Sequence, residues 1–115
     1  DGLDEATVTT ETRVSELRDG MISSYNIDPV SIFGSVYGKD EIMGADATTN
    51  AQITADVLSG KNGARRKIVV LNSALAIVAG EKAQSLKAGI KIAEDCIDTG
   101  RAIRKLQELI ELSNS

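Results

Sequence analysis

The feature that most limits this chain is a single change of periodicity near Gly44. Before it come β-branched residues and turn pairs; after it, apolar residues recur at helical spacing to the end. Strands first and helices afterwards exclude a pure bundle and a pure sandwich and point to a mixed α/β unit. The reading is therefore a strand-rich part over 1–43 and a helical part over 44–115. The 115 residues fit one domain or part of one. A unit of that size buries roughly two thirds of its unfolded surface, so independent folding is open to it.

Within the first part, Thr7, Val8, Thr9, Thr10, Thr12 and Val14 have strand character. Asp19-Gly20 is a two-residue hairpin signal between Arg13–Arg18 and Met21–Ile27. Alternation along Thr12–Leu17 is weak, which predicts a strand at an edge. Asp28-Pro29 stops the second strand, because proline cannot donate to a ladder. Ser31–Asp40, with Gly34 and Gly38, reads as loop.

Four helices are expected in the second part. Asp46 caps Ala47–Leu58, with Gly60 just past its end; Ala47, Ala51, Ala55 and Leu58 form a small-residue face suited to close packing. Arg65–Ala79 follows and Gly80 closes it. Ile68-Val69-Val70-Leu71 would also suit a buried strand, but the alanine-rich continuation favours a helix, apolar nearly all round and buried on most sides. Ser85 caps a third helix ending at Gly100, with a stripe of Leu86, Ile90, Ala93 and Ile97. The fourth, Arg101–Leu112, is expected to turn Ile103, Leu106, Leu109 and Ile110 inward.

Composition narrows the chemistry. Aromatic residues are 3% of the chain and Trp is absent, so Ala, Ile, Leu and Val must build the core. A net charge of −4 argues against general nucleic-acid binding, which needs a cationic face. The apolar run Ile68–Ala79 is far shorter than the about 20 residues of a membrane span. No signal peptide is visible, and the chain opens on Asp1 rather than Met, so a processed product or fragment is expected. With no histidine, a Ser-His-Asp or Cys-His nucleophile is excluded. The lone Cys96 reads as a buried, inert thiol, consistent with a reducing, cytoplasmic setting.

Three places could carry chemistry. Asp4 and Glu5, in Gly2-Leu3-Asp4-Glu5, are adjacent carboxylates; read alone they are a mobile acidic terminus or a holder of Mg²⁺, which favours oxygen ligands. Arg65-Arg66-Lys67 puts three cations at a helix N-terminus, against the helix dipole. A solvated basic loop is the expectation there, with phosphate contact the alternative. Asn72, in the apolar helix, needs partners and is expected to tie down a neighbouring backbone segment.

These segments together resemble the C-terminal third of the anthranilate phosphoribosyltransferase family. Gly2-Leu3-Asp4-Glu5 resembles its Gly-x-Asp-Glu element. Gly44-Ala45-Asp46 through Asn50-Ala51 resembles its Gly-Gly-Asp-x-x-x-Asn-Ala helix start, with Ala45 replacing the second glycine. Asn72-Ser73-Ala74 through Ile77 resembles its Asn-Ala-Ala helix, with Ser73 replacing an alanine, and Ser85-Leu86-Lys87-Ala88-Gly89-Ile90 resembles its closing Ser-Leu-x-x-Gly-Val segment.

The resemblance implies the C-terminal part of the nucleoside phosphorylase/phosphoribosyltransferase α/β domain, with a few strands including a hairpin and about four helices. It implies phosphoribosyl pyrophosphate and anthranilate as substrates in tryptophan biosynthesis, Mg²⁺ as cofactor with Asp4 and Glu5 as its ligands, and a homodimeric full-length enzyme. The family's Gly-Thr-Gly-Gly-Asp loop and Lys-His-Gly-Asn-Arg segment are not in this sequence. The chain alone is therefore expected to be inactive, and exposed apolar surface is expected to drive self-association. The rival readings are a pyrimidine nucleoside phosphorylase-like relative, a nucleic-acid-binding relative that the charge disfavours, and a non-catalytic α+β interaction module.

Overall fold

The computed structural model describes residues 1–115. Two strands, β1 (Thr12–Arg18) and β2 (Met21–Ile27), pair antiparallel in register Thr12 to Ile27 through Arg18 to Met21. Asp19 and Gly20 both take positive φ, 52° and 77°, the conformation a tight two-residue hairpin demands. Five helices follow: α1 (Pro29–Phe33), α2 (Ala47–Leu58), α3 (Ala64–Ala79), α4 (Leu86–Asp98) and α5 (Arg101–Ser113), with a 3₁₀ turn at Lys39–Glu41.

The mixed α/β reading holds: of the few strands expected only the hairpin pair forms, and five helices stand where about four were expected. Thr7–Thr10 is not a strand, despite its β-branched residues. Its backbone is used elsewhere: the Val8 carbonyl accepts from Tyr37 N at 3.0 Å and Thr7 N donates to Thr12 Oγ1 at 3.1 Å. The expected loop at Ser31 begins inside α1 instead. Asp28 caps that helix, accepting from Val30 N at 3.0 Å, with Pro29 in the first turn, where its missing N–H costs nothing.

Helix ends in the second half follow the sequence closely. Asp46 accepts from Thr49 N at 2.7 Å and Ser85 Oγ from Ala88 N at 3.1 Å, so each cap satisfies a free donor of its helix.

Two small cores share α3. Leu71 joins Ala6, Val8 and Ile27, so this helix packs under the base of the hairpin. One residue earlier, Val70 joins Ala93 and Ile97 of α4. A Cβ on Gly89 would sit 2.8 Å from the carbonyl oxygen of Ala74, so only glycine permits this approach of α4 to α3.

The expected stripe of α4 is covered, with Ala93 and Ile97 buried and Leu86 and Ile90 half-buried, but two other expected faces are covered only in part. On α2, Ala47 and Ala51 are exposed and Val57 is buried. On α3, the expected burial on most sides holds: only Val69, Ala76 and Ala79 are exposed. On α5, Ile103 and Leu106 are half-buried, but Leu109 and Ile110 are 61% and 51% exposed, so the expected inward face is covered only in its first half. Cys96 is half-buried rather than enclosed. No helix is long and apolar enough to cross a membrane.

Candidate functional site

The N-terminal segment turns at Gly2, φ 90°, and then presents Asp4 and Glu5 to solvent. Immediately after them Ala6, Thr7 and Val8 are buried, at 5%, 3% and 0% exposure. The acidic pair thus lies at the rim of the first core rather than on a free tail. Apolar contact holds one side of the segment, and Asp1 gathers the other: its carboxylate accepts from Leu3 N at 3.1 Å and Thr7 Oγ1 at 2.7 Å, and also from Thr9 Oγ1.

Neither Asp4 nor Glu5 is in any hydrogen bond or ion pair of the chain, so their carboxylate oxygens face water. This donor set fits a magnesium ion. Hard oxygen ligands are free, and one or two carboxylates are what such ions ordinarily take from protein, the remainder being water and phosphate. No third acidic, histidine or cysteine side chain joins them in a metal-binding group. A closed, all-protein cage is therefore not what the residues form.

Asn72 behaves as its position in an apolar helix requires. Its Oδ1 accepts from Ala6 N at 2.9 Å, and its Nδ2 donates to the carbonyls of Ala6 at 2.8 Å and Ile68 at 3.0 Å. Both amide protons are used, so the half-buried carboxamide leaves no donor unpaired.

The basic stretch is neither a solvated loop nor an open phosphate cradle. Arg66, 7% exposed, makes a two-pronged pair with Asp98, Nη1 to Oδ1 at 2.8 Å and Nη2 to Oδ2 at 3.0 Å. This fork ties α3 to the end of α4 in the planar geometry that suits guanidinium and carboxylate. The Arg66 hydrogen bonds hold Asp98 below the usual carboxylate range. Arg65 Nη2 donates to Met43 O at 2.8 Å, and Lys67 Nζ stands 5.3 Å from the centre of the Phe33 ring. All three cations thus make contacts within the chain, although the Nε of Arg65 is buried without a partner.

Two of the surface clefts are sizeable. One of about 650 Å³ lies between the inner face of the hairpin and the end of α3, with Val14, Tyr25, Leu75 and Leu86 in its wall. Glu16 and Arg18 line it too, 3.5 Å apart, and Arg18 also donates to Gln84 O. The other, about 310 Å³ and mainly apolar, lies between α2 and α3 beside Met43, Ile53 and Val69. Sequence reading found neither, because each is walled by segments distant in the chain.

Residues 1–103 match the family described as the glycosyl transferase family, a/b domain. Among curated proteins, an anthranilate phosphoribosyltransferase of Desulfosudis oleivorans is 47% identical over 116 residues, which is all of this chain and 34% of that protein. One from Methanocorpusculum labreanum is 49% identical over 113 residues, 98% of this chain and 33% of that protein. Among solved structures, the crystal structure of anthranilate phosphoribosyltransferase from Thermus thermophilus matches with a TM-score of 0.88 and 24% identity, over 100% of this chain and 34% of that one, a likeness of fold. The chain spans about a third of the length of the curated relatives it matches.

Proposed function

This chain belongs to the glycosyl transferase family, a/b domain, and from that membership we propose that it serves as the C-terminal third of a phosphoribosyl-transferring enzyme of tryptophan biosynthesis. In that reaction the amine nitrogen of anthranilate attacks C1 of phosphoribosyl pyrophosphate, the C1–oxygen bond to pyrophosphate breaks, and the nitrogen gives up a proton. Mg²⁺ supplies neutralisation of the charge that builds on the leaving pyrophosphate. Asp4 and Glu5 would hold it, directly or through water.

The observation that carries this reading is the state of the acidic pair. Two adjacent carboxylates stand free of protein partners on a segment whose next residues are buried. A solvated acidic tail needs no such anchoring. The near-complete coverage of this chain by relatives named for the reaction supports the same reading.

The chain offers no pyrophosphate-cradling glycine loop and no free cation cluster for a substrate, since Arg65, Arg66 and Lys67 are engaged internally. Those parts belong to the rest of the longer enzyme in this proposal, and the 115 residues alone are inactive. The full-length enzyme is a cytoplasmic homodimer in the same reading. The exposed Leu17, Met21 and Ile22 at the hairpin tip, with Leu109, Ile110 and Leu112 on α5, favour self-association of the isolated chain.

The test is the double variant Asp4→Ala/Glu5→Ala in the full-length enzyme. The expected result is a steep loss of phosphoribosyl anthranilate formation together with altered Mg²⁺ dependence. Unchanged activity and unchanged Mg²⁺ dependence would overturn the assignment. For the isolated chain, light scattering at rising concentration should show growth beyond the monomer mass.

A further inference from the structure

Residues 4 and 5 make no hydrogen bond of their own, so the path of their backbone is set by their neighbours. On the N-terminal side the neighbour is Leu3, bonded only to the exposed side chain of Asp1. On the other side it is Ala6, whose N–H and C=O are both engaged by the Asn72 carboxamide. Two hydrogen bonds to one residue fix its peptide groups in rotation as well as position. Asn72 is in turn held by its third bond, to Ile68 O, and by the neighbouring Leu71, which is fully buried. A mid-helix asparagine has poor helix propensity and would be costly unpaired, so it stands out among the apolar residues of α3.

We propose that Asn72 is the positioning residue of the acidic pair: its clamp on Ala6 ties the segment to α3 and so holds the backbone of Asp4 and Glu5 where the two carboxylates can meet a divalent cation. This rests on the reading of those two carboxylates as metal ligands. Groups that orient metal ligands ordinarily change metal affinity about 10- to 100-fold when removed.

The experiment is an amide NMR titration of the 115-residue chain with Mn²⁺, a paramagnetic stand-in for Mg²⁺. In the unaltered chain, signals of residues 3–6 broaden first, and Asp4→Ala/Glu5→Ala abolishes the effect. In Asn72→Ala, residues 3–6 lose order in ¹⁵N relaxation and the half-saturating Mn²⁺ concentration rises about tenfold or more. Asn72→Asp keeps the volume but turns an oxygen toward the carbonyls of Ala6 and Ile68, and it gives the same shift if the alanine variant fails to fold. Val70→Ala, which thins the other core, serves as the control: it lowers stability and leaves the Mn²⁺ response in place.

Broadening in the unaltered chain with no response to Asn72 replacement overturns the proposal alone, as does an equal response to Val70→Ala. Absence of broadening at residues 3–6 in the unaltered chain, both with Mn²⁺ alone and with inorganic pyrophosphate added to complete the ion's coordination, overturns the metal reading, and the proposal with it.

Discussion

The chain uses one piece of chemistry twice, in two settings. Asn50 and Asn72 each bracket both backbone groups of a single alanine with one carboxamide. Asn50 accepts from Ala45 N at 2.7 Å and donates to Ala45 O at 3.1 Å; Asn72 does the same to Ala6 at 2.9 and 2.8 Å. The first pair is five residues apart and exposed, the second 66 apart and part-buried. The local clamp closes a short loop at the head of α2, beside the Asp46 cap, and water would satisfy its groups if it opened. The distant clamp closes only when the N-terminal segment has docked on α3, and opening it strands buried groups. The same bonds are therefore a local refinement at one site and a tertiary fastening at the other.

The largest expected effect removes the floor under the distant clamp. Leu71→Ala should destabilise the chain by about 2–5 kcal/mol in urea unfolding, and Ala6 should lose amide-exchange protection while Ala45 keeps its own. Equal loss at both alanines would erase the distinction. Next, Asn72→Ala should cost about 1–3 kcal/mol, because the amide and carbonyl of buried Ala6 are left unpaired. Asn50→Ala, measured the same way, should cost about 0.5 kcal/mol, since its partners are exposed to water. A larger loss from Asn50 than from Asn72 would reverse the ranking.

The smallest effect is one of pH. Hydrogen bonds from Thr49, hydroxyl first and amide second, hold Asp46 below the usual carboxylate range. The unfolded chain therefore takes up that proton first. The contribution of Asp46 is complete above the ordinary value of about 3.9 and is lost as pH falls through its lower folded value. Asp28, Asp98 and Glu108 are shifted the same way, so the whole acid limb should slope. Asp46→Asn should flatten that slope slightly, whereas Asn72→Ala, which removes no titrating group, should leave it unchanged. Helicity followed from pH 6 downward by circular dichroism distinguishes the two.

Much of this was legible in the residues. Asp19-Gly20, Asp46, Ser85 and Gly100 each act on backbone groups within a few positions, so their effects were readable in order. Asn72 announced that it needed a partner without naming it. The Thr7–Thr10 run misled, because β propensity reports a pleated, half-buried surface and here no neighbouring strand supplies one. The basic triplet misled for the converse reason: Arg66 gains its partner from Asp98, 32 residues on.

The sequence by itself determined where the four longer helices begin and end, to within a residue or two, where the hairpin turns, and that the acids at positions 4 and 5 are adjacent. Caps, turns and neighbours act through bonds spanning a few residues. Only the tertiary structure decided which faces are covered, that α5 leaves Leu109 and Ile110 exposed, and that Asn72 grips Ala6. Helical periodicity places residues on a common face but carries no information about what that face meets; that depends on the packing of segments far apart in the chain.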